Sequence, residues 1–342
     1  MNEILAIFSK NKRSNLAEFS ENAFQKLREK LTEMTNEISD TFYRVIVAPI
    51  TQGHYPINKF DEHTTGLKGC YISRYFNSIY RQRKISTTKA TSLKYLEIHL
   101  VDHCNLNCKG CGHFSPLSKP NFITTEEFKN DLLQLKQNII YITQLRLMGG
   151  EPFLHPKLRT LLKIARKIYP SDKIAIVTNG ILLLKQKKKV LKTIKKLHVE
   201  IHITTYPVFE QQTDKYIELL KRFNITYEIE HTNTFYKHIN LTKKQDPCTA
   251  ISKCRKQNYC PALKHGILFQ CSGLANMHIL VDYFTLETNQ LPLGLDIYDG
   301  SIDAEKILHF LDSPDPLCSH CFYAAESFNW DRSKNNLNEW VL

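Results

Sequence analysis

Cysteine placement constrains this chain more than any other feature. Ten cysteines occur in 342 residues, at positions 70, 104, 108, 111, 248, 254, 260, 271, 318 and 321, and all but Cys70 fall into three groups. No run approaches the roughly 18 apolar residues of a membrane span. The apolar stretch in the opening MNEILAIFSKNKR is too short for a secretory signal. The expected compartment is therefore the cytoplasm, where thiols stay reduced and clustered cysteines serve as metal ligands or reactive groups. The tightest group, Cys104-Asn-Leu-Asn-Cys108-Lys-Gly-Cys111, puts three thiolates in eight residues. Such a run can wrap one face of an iron–sulfur centre, and three ligands on a four-iron cube leave one iron open to an exogenous chelate. Zinc is the competing occupant; it wants four ligands, with His103 or His113 available as the fourth.

The pattern around that group is a repeating one. Strand-like runs at 93–101, 144–148, 173–180, 199–206 and 225–231 alternate with helical runs. The first helix opens on Thr124 with Glu127 three residues on, a capping box. Further helices are expected over 155–168, in the lysine-rich 185–196 and over 214–223. Such alternation implies parallel strands with crossover helices, an α/β sheet or barrel whose active site lies at the carboxyl ends of the strands. A content of 42% apolar and 23% charged residues excludes a disordered chain and fits one large core with additions. Net charge is +12, and 185–196 carries seven lysines without an acid. No nucleic-acid motif accompanies them, so they read as the solvated face of a helix, and no nucleic-acid partner is expected. Residues 1–90 form an accessory region, with a helix over 16–38, a strand over 43–50 and a basic linker at 81–84. Past residue 245 the repetition gives way to a hairpin turning at Lys264-His265-Gly266, a helix over 304–311 and Cys318-Ser-His-Cys321.

CxxxCxxC directly after the first strand, with Met148-Gly-Gly-Glu-Pro152 ending the second, resembles the two signature motifs of the radical S-adenosylmethionine superfamily. The resemblance implies a partial (β/α)6 TIM-type barrel over 91–245. It implies a [4Fe–4S] cluster on Cys104, Cys108 and Cys111, with S-adenosylmethionine chelating the fourth iron. Gly149, Gly150, Glu151 and Pro152 would form the loop that takes the methionyl amino group. Thr178 or Asn179, and Thr204 or Thr205, are candidates for the ribose and carboxylate. The family places an aromatic residue before its third cysteine; here that residue is Gly110, and His113 or Phe114 would have to substitute.

The remaining thiols resemble a twitch extension, a shortened SPASM-type α+β domain over 246–342 holding one auxiliary [4Fe–4S] cluster. Its ligands would be Cys254, Cys271, Cys318 and Cys321, with Cys260 the rival of Cys254. A spare Cys260 would be placed to donate a hydrogen atom to a substrate radical, as in the family's epimerases, whereas dehydrogenases oxidise the radical through the auxiliary cluster. Cys248 is a second spare thiol. Phe114, Tyr206 and Phe209 are candidate walls of the site. One auxiliary cluster in a compact chain points to a small polar, carbohydrate-like substrate, with electrons from a flavodoxin- or ferredoxin-type reductant. A peptide maturase and a non-catalytic iron–sulfur or zinc protein are the other readings.

Overall fold

The computed structural model describes residues 92–170, 172–254, 260–287 and 291–342. The helix and strand expected within 1–90, and Cys70, lie outside the described residues. From Ser92 onward the chain forms one compact unit.

The expected alternation is realised as β1 (Ser92–Val101), α1 (Thr125–Asn138), β2 (Tyr141–Gly149), α2 (Leu158–Ile168), β3 (Lys173–Thr178), α3 (Lys188–Lys196), β4 (Val199–Thr205), α4 (Thr213–Phe223) and β5 (Tyr227–His231). These five strands pair in parallel, each beside the next in sequence. The sheet is an open arc, the arrangement of a partial barrel. Leu96, Ile98 and Leu100 of β1 are buried in the main apolar cluster with helix residues such as Phe128 and Leu161. Strand alternation turns Tyr95, Glu97 and His99 to the other, inner face. Thr124 caps α1, its hydroxyl accepting from the Glu127 N–H at 3.1 Å. The Glu127 carboxylate does not close the box; it pairs with His265 instead. In α3, Leu191 and Ile194 are buried and the lysines face solvent, except half-buried Lys195.

Past β5 the structure departs from expectation. β6 (Thr234–Ile239) and α5 (Pro247–Lys253) precede the hairpin of β7 (Ala262–Lys264) and β8 (Ile267–Phe269). That hairpin does not stand in a separate extension. β7 pairs in parallel with the free edge of β1, Glu97 facing Ala262, and so continues the main sheet. Then follow α6 (Ser272–Phe284), β9 (Leu295–Asp296), α7 (Ala304–Asp312) and β10 (Cys321–Asn329), the last pairing antiparallel with β6 as a second, two-stranded sheet. Among the described residues, no helix is long and apolar enough to cross a membrane.

Candidate functional site

The first cysteine loop leaves the carboxyl end of β1. Cys108 is buried, while Cys104 and Cys111 are partly so. Burial first, then Glu151 and Cys111, push Cys104 up to about 12, and burial followed by Cys111 pushes Cys108 well above the ordinary thiol range. Sulfurs crowded together in this way are stabilised by a cationic centre. Donors already point at them. The Leu106 N–H and the Asn179 side-chain amide each donate to Cys104 Sγ at 3.4 Å, and the Trp330 indole N–H donates to Cys108 Sγ at 3.1 Å. Bonds of this kind stabilise cluster-bound thiolates and tune their potential. The three cysteines fit an iron–sulfur cluster.

Trp330 belongs to a terminal segment absent from the expectations above. Residues 330–341 wrap the cysteine loop: Lys109 N–H donates to Asp331 O and Ser333 N–H to Asn107 O, both at 2.9 Å, and the Trp340 indole donates to Cys111 O at 3.0 Å. Both tryptophans of the chain are spent on this contact. Gly110 is explained by the same segment. Its φ is +64°, and a Cβ there would lie 2.5 Å from Phe328 Cζ, so the ring of β10 fills the space a side chain at 110 would need. Phe328 joins Phe235, Tyr206 and Trp330 in an aromatic row beside the loop. Tyr206, a candidate wall residue, stands in this row. Phe114 is 3% exposed and clusters with Leu117, Leu280 and Trp340.

The Gly149-Gly150-Glu151 loop is docked on the end of β1. Gly150 N–H donates to Val101 O at 2.7 Å and Glu151 N–H to His103 O at 3.2 Å. The Glu151 carboxylate is taken up by nearby donors. It is fully buried and accepts from Phe153 N–H and Asn179 N–H, each at 3.0 Å, and from Thr178 Oγ1 at 2.8 Å, tying β2 to β3. Pro152 opens the short turn that follows. Asn179, expected at the ribose, is drawn to Cys104, and Thr178 to Glu151. Thr204 lies partly exposed on β4.

Burial raises Glu151 from 4.5 to about 7 against those hydrogen bonds. A folded-state value above the ordinary one means that the protonated group stabilises the fold fully below pH 4.5, and that this contribution is lost as pH rises through about 7. Its size is on the order of 3 kcal/mol. Glu151→Gln, which does not titrate, is expected to flatten that part of the profile. Urea unfolding of the metal-free chain and the variant on either side of the window checks it.

A second thiol group lies elsewhere. Burial and then Cys271 push Cys318 up to about 12, with Cys321 adding to the effect. Cys271 caps α6, its sulfur accepting from Leu274 N–H at 3.4 Å. The hairpin pairs Ala262 with Phe269, so two more residues of that register set Cys260 opposite Cys271. Cys254 ends α5, which packs on the Pro316–His320 turn. Cys260 therefore sits with the second group rather than beside the first. Glu97 N–H donates to Pro261 O at 2.9 Å, which puts Cys260 level with Tyr95. From there to Val101 is about 20 Å of strand, which argues against Cys260 as a donor to a radical formed at the first loop.

Between the two groups the inner face is polar. Tyr95 OH donates to Glu97 Oε1 at 2.5 Å. Lys264 Nζ donates to Asp102 Oδ1 and to Asn276 Oδ1, both at 2.8 Å, and Asn276 meets His99 Nδ1. Burial, with the Lys264 charge, lowers His99 to about 4, so its ring is neutral.

Residues 98–232 match the family model of the Radical SAM superfamily. This stretch is a radical SAM domain. Over 116 residues the chain is 33% identical to GTP 3′,8-cyclase of Aquifex aeolicus, a match covering 32% of this chain and 35% of that protein. Over 229 residues it is 26% identical to GTP 3′,8-cyclase of Clostridium acetobutylicum, covering 64% of this chain and 63% of that one. The chain thus spans 35% of the first of these relatives and 63% of the second. Among solved structures, BtrN in complex with AdoMet and 2-DOIA aligns with a TM-score of 0.42 at 14% identity, covering 69% of this chain and 95% of that one. Streptococcus suis SuiB bound to S-adenosylmethionine aligns at 0.34 and 12% identity, covering 71% and 72%.

Proposed function

We propose that the chain is a radical enzyme acting on a small polar, carbohydrate-type substrate, with a [4Fe–4S] cluster on Cys104, Cys108 and Cys111 and S-adenosylmethionine on the open iron. The observation that carries this reading is the convergence of three thiols, one buried and two partly so, with a glycine loop docked on the same strand end. When bound, these groups supply a 5′-deoxyadenosyl radical that abstracts hydrogen from carbon. The chain's own residues do the rest. Leu106, Asn179 and Trp330 hold the sulfurs, Gly149 and Gly150 let backbone approach backbone, and the row from Tyr206 to Phe328 keeps water from the loop. The ionisable inner face of β1, β2 and β4, with Glu97, Arg146 and His202, suits a polyhydroxylated substrate better than an apolar one.

The second group would hold an auxiliary cluster on Cys271, Cys318 and Cys321, with Cys260, by its register, ahead of Cys254 as the fourth ligand. With Cys260 so placed, dehydrogenation through the auxiliary cluster is favoured over epimerisation by a donor thiol. Electrons would come from a flavodoxin- or ferredoxin-type protein. Anaerobically reconstituted protein is expected to carry about eight irons per chain, and Cys318→Ala about four. Given reductant and S-adenosylmethionine, it should release 5′-deoxyadenosine. Tight zinc at the cysteines and no cleavage would favour the scaffold reading, and tight binding of a precursor peptide would favour the maturase.

A further inference from the structure

Glu97, His99 and His113 each present one ligand atom on the inner side of β1, all within 4.8 Å of one another. None of the three is a cysteine, and His113 lies two residues past Cys111. Glu97 and His99 are buried at 4% and 5% exposure. Among the described residues, His99 Nε2 has no hydrogen-bond partner, although it is inaccessible to solvent. It points at Glu97 Oε2, 4.0 Å away, and its ring meets the ring of His113 edge-on at 4.9 Å between centroids. A buried imidazole nitrogen with nothing to bond to is costly unless something fills the gap.

We propose that Glu97, His99 and His113 bind a divalent transition-metal ion. Two imidazoles and one carboxylate are a common donor set for zinc and for ferrous iron, and they leave coordination positions open. The outer contacts suit it. His99 in its Nδ1–H form donates to Asn276 Oδ1, 3.3 Å away, and frees Nε2 for the metal, the second-shell arrangement that fixes a ligating imidazole. Tyr95 OH holds the other oxygen of Glu97. The charge of nearby Lys264 is balanced by Asp102 at 2.8 Å. Donors around a tetrahedral ion stand about 3.4 Å apart, so the group needs to close by roughly 1 Å, and partly exposed His113 has the freedom to do so. The open positions would face the inner side of the sheet, where a hydroxyl or carboxylate oxygen of a substrate can reach them. That last step rests on the proposed function; ion binding does not.

The test uses anaerobic holoenzyme with its full iron content, so that the cluster cysteines are occupied. After dialysis against micromolar Zn2+ and removal of the excess, metal analysis should find one zinc per chain beyond the iron. X-ray absorption at the zinc edge should show nitrogen and oxygen neighbours at about 2.0–2.1 Å. Glu97→Gln and His99→Gln should weaken retention on the order of 100-fold with iron unchanged. Absence of retained zinc, sulfur neighbours at about 2.3 Å, or full retention by both variants would overturn the site. Failure to release 5′-deoxyadenosine with zinc still bound would count against the proposed function and leave the ion site standing.

Discussion

Cys108→Ala is expected to abolish S-adenosylmethionine cleavage and to halve the iron content of the reconstituted protein. Cys108 is the most buried of the three thiols, at 6% exposure, and the terminal segment is built onto it. Arg332 pairs with it through a backbone bridge, and the Trp330 indole donates to its sulfur. Alanine removes one ligand of three, and the remaining pair cannot hold a cube while leaving one iron for the cofactor. Because the cofactor carries the hard chemistry, the rate should fall by at least roughly a thousandfold. The same substitution takes the sulfur acceptor from the indole N–H of partly buried Trp330, a cost of about 1 kcal/mol. Trp330→Phe separates the two effects. It keeps the ligand and removes only the donor, so iron should stay while the cluster potential falls, since a hydrogen bond to sulfur favours the more negative, reduced state. Full cleavage activity and unchanged iron in Cys108→Ala would remove the cluster from this loop.

The parallel half of the fold is legible in the residues because β1, β3 and β4 each carry a buried apolar set at spacing two, followed by a helix with its own stripe. Leu96, Ile98 and Leu100 announce β1 in this way, and the cysteine and glycine motifs can be placed at strand ends before any coordinates are known. The later half is not legible in the same way. β6 and β10 pair with each other across more than 80 residues of chain, and Thr234–Ile239 buries none of its residues fully, so it shows no apolar stripe. The union of β7 with β1 is a contact of high sequence separation, which local pattern cannot report. Glu151 shows a subtler limit. The three donors that hold its carboxylate come from residues 153, 178 and 179, and nothing in the run Gly-Gly-Glu-Pro reports them. The departure at Gly110 is visible in the sequence, but its cause, the Phe328 ring, comes from 218 residues away. The one available sign of the terminal wrap is compositional: a chain with two tryptophans places both within its last 13 residues.

Gly150→Ala should cost more than about 3 kcal/mol and release the cofactor loop from β1. A Cβ on Gly150 would lie 2.0 Å from His103 O, 2.3 Å from its carbonyl carbon and 2.8 Å from Asp102 O. All three are backbone atoms, so no rotamer change relieves the contact. Either the loop lifts or the start of the cysteine loop moves. Lifting breaks the bonds from Gly150 N–H to Val101 O at 2.7 Å and from Glu151 N–H to His103 O at 3.2 Å. It also pulls the buried Glu151 carboxylate away from Thr178 and Asn179, whose amide touches Cys104. One methyl group therefore reaches the first cysteine through backbone, carboxylate and amide in turn. The expected result is a lower unfolding midpoint in denaturant, incomplete iron loading and no release of 5′-deoxyadenosine. Gly300→Ala is the control, because a Cβ there meets nothing within 4 Å, and it should change none of the three. If Gly150→Ala folds, loads iron and cleaves as the unsubstituted chain does, the docking of the glycine loop on β1 is not what positions the cofactor.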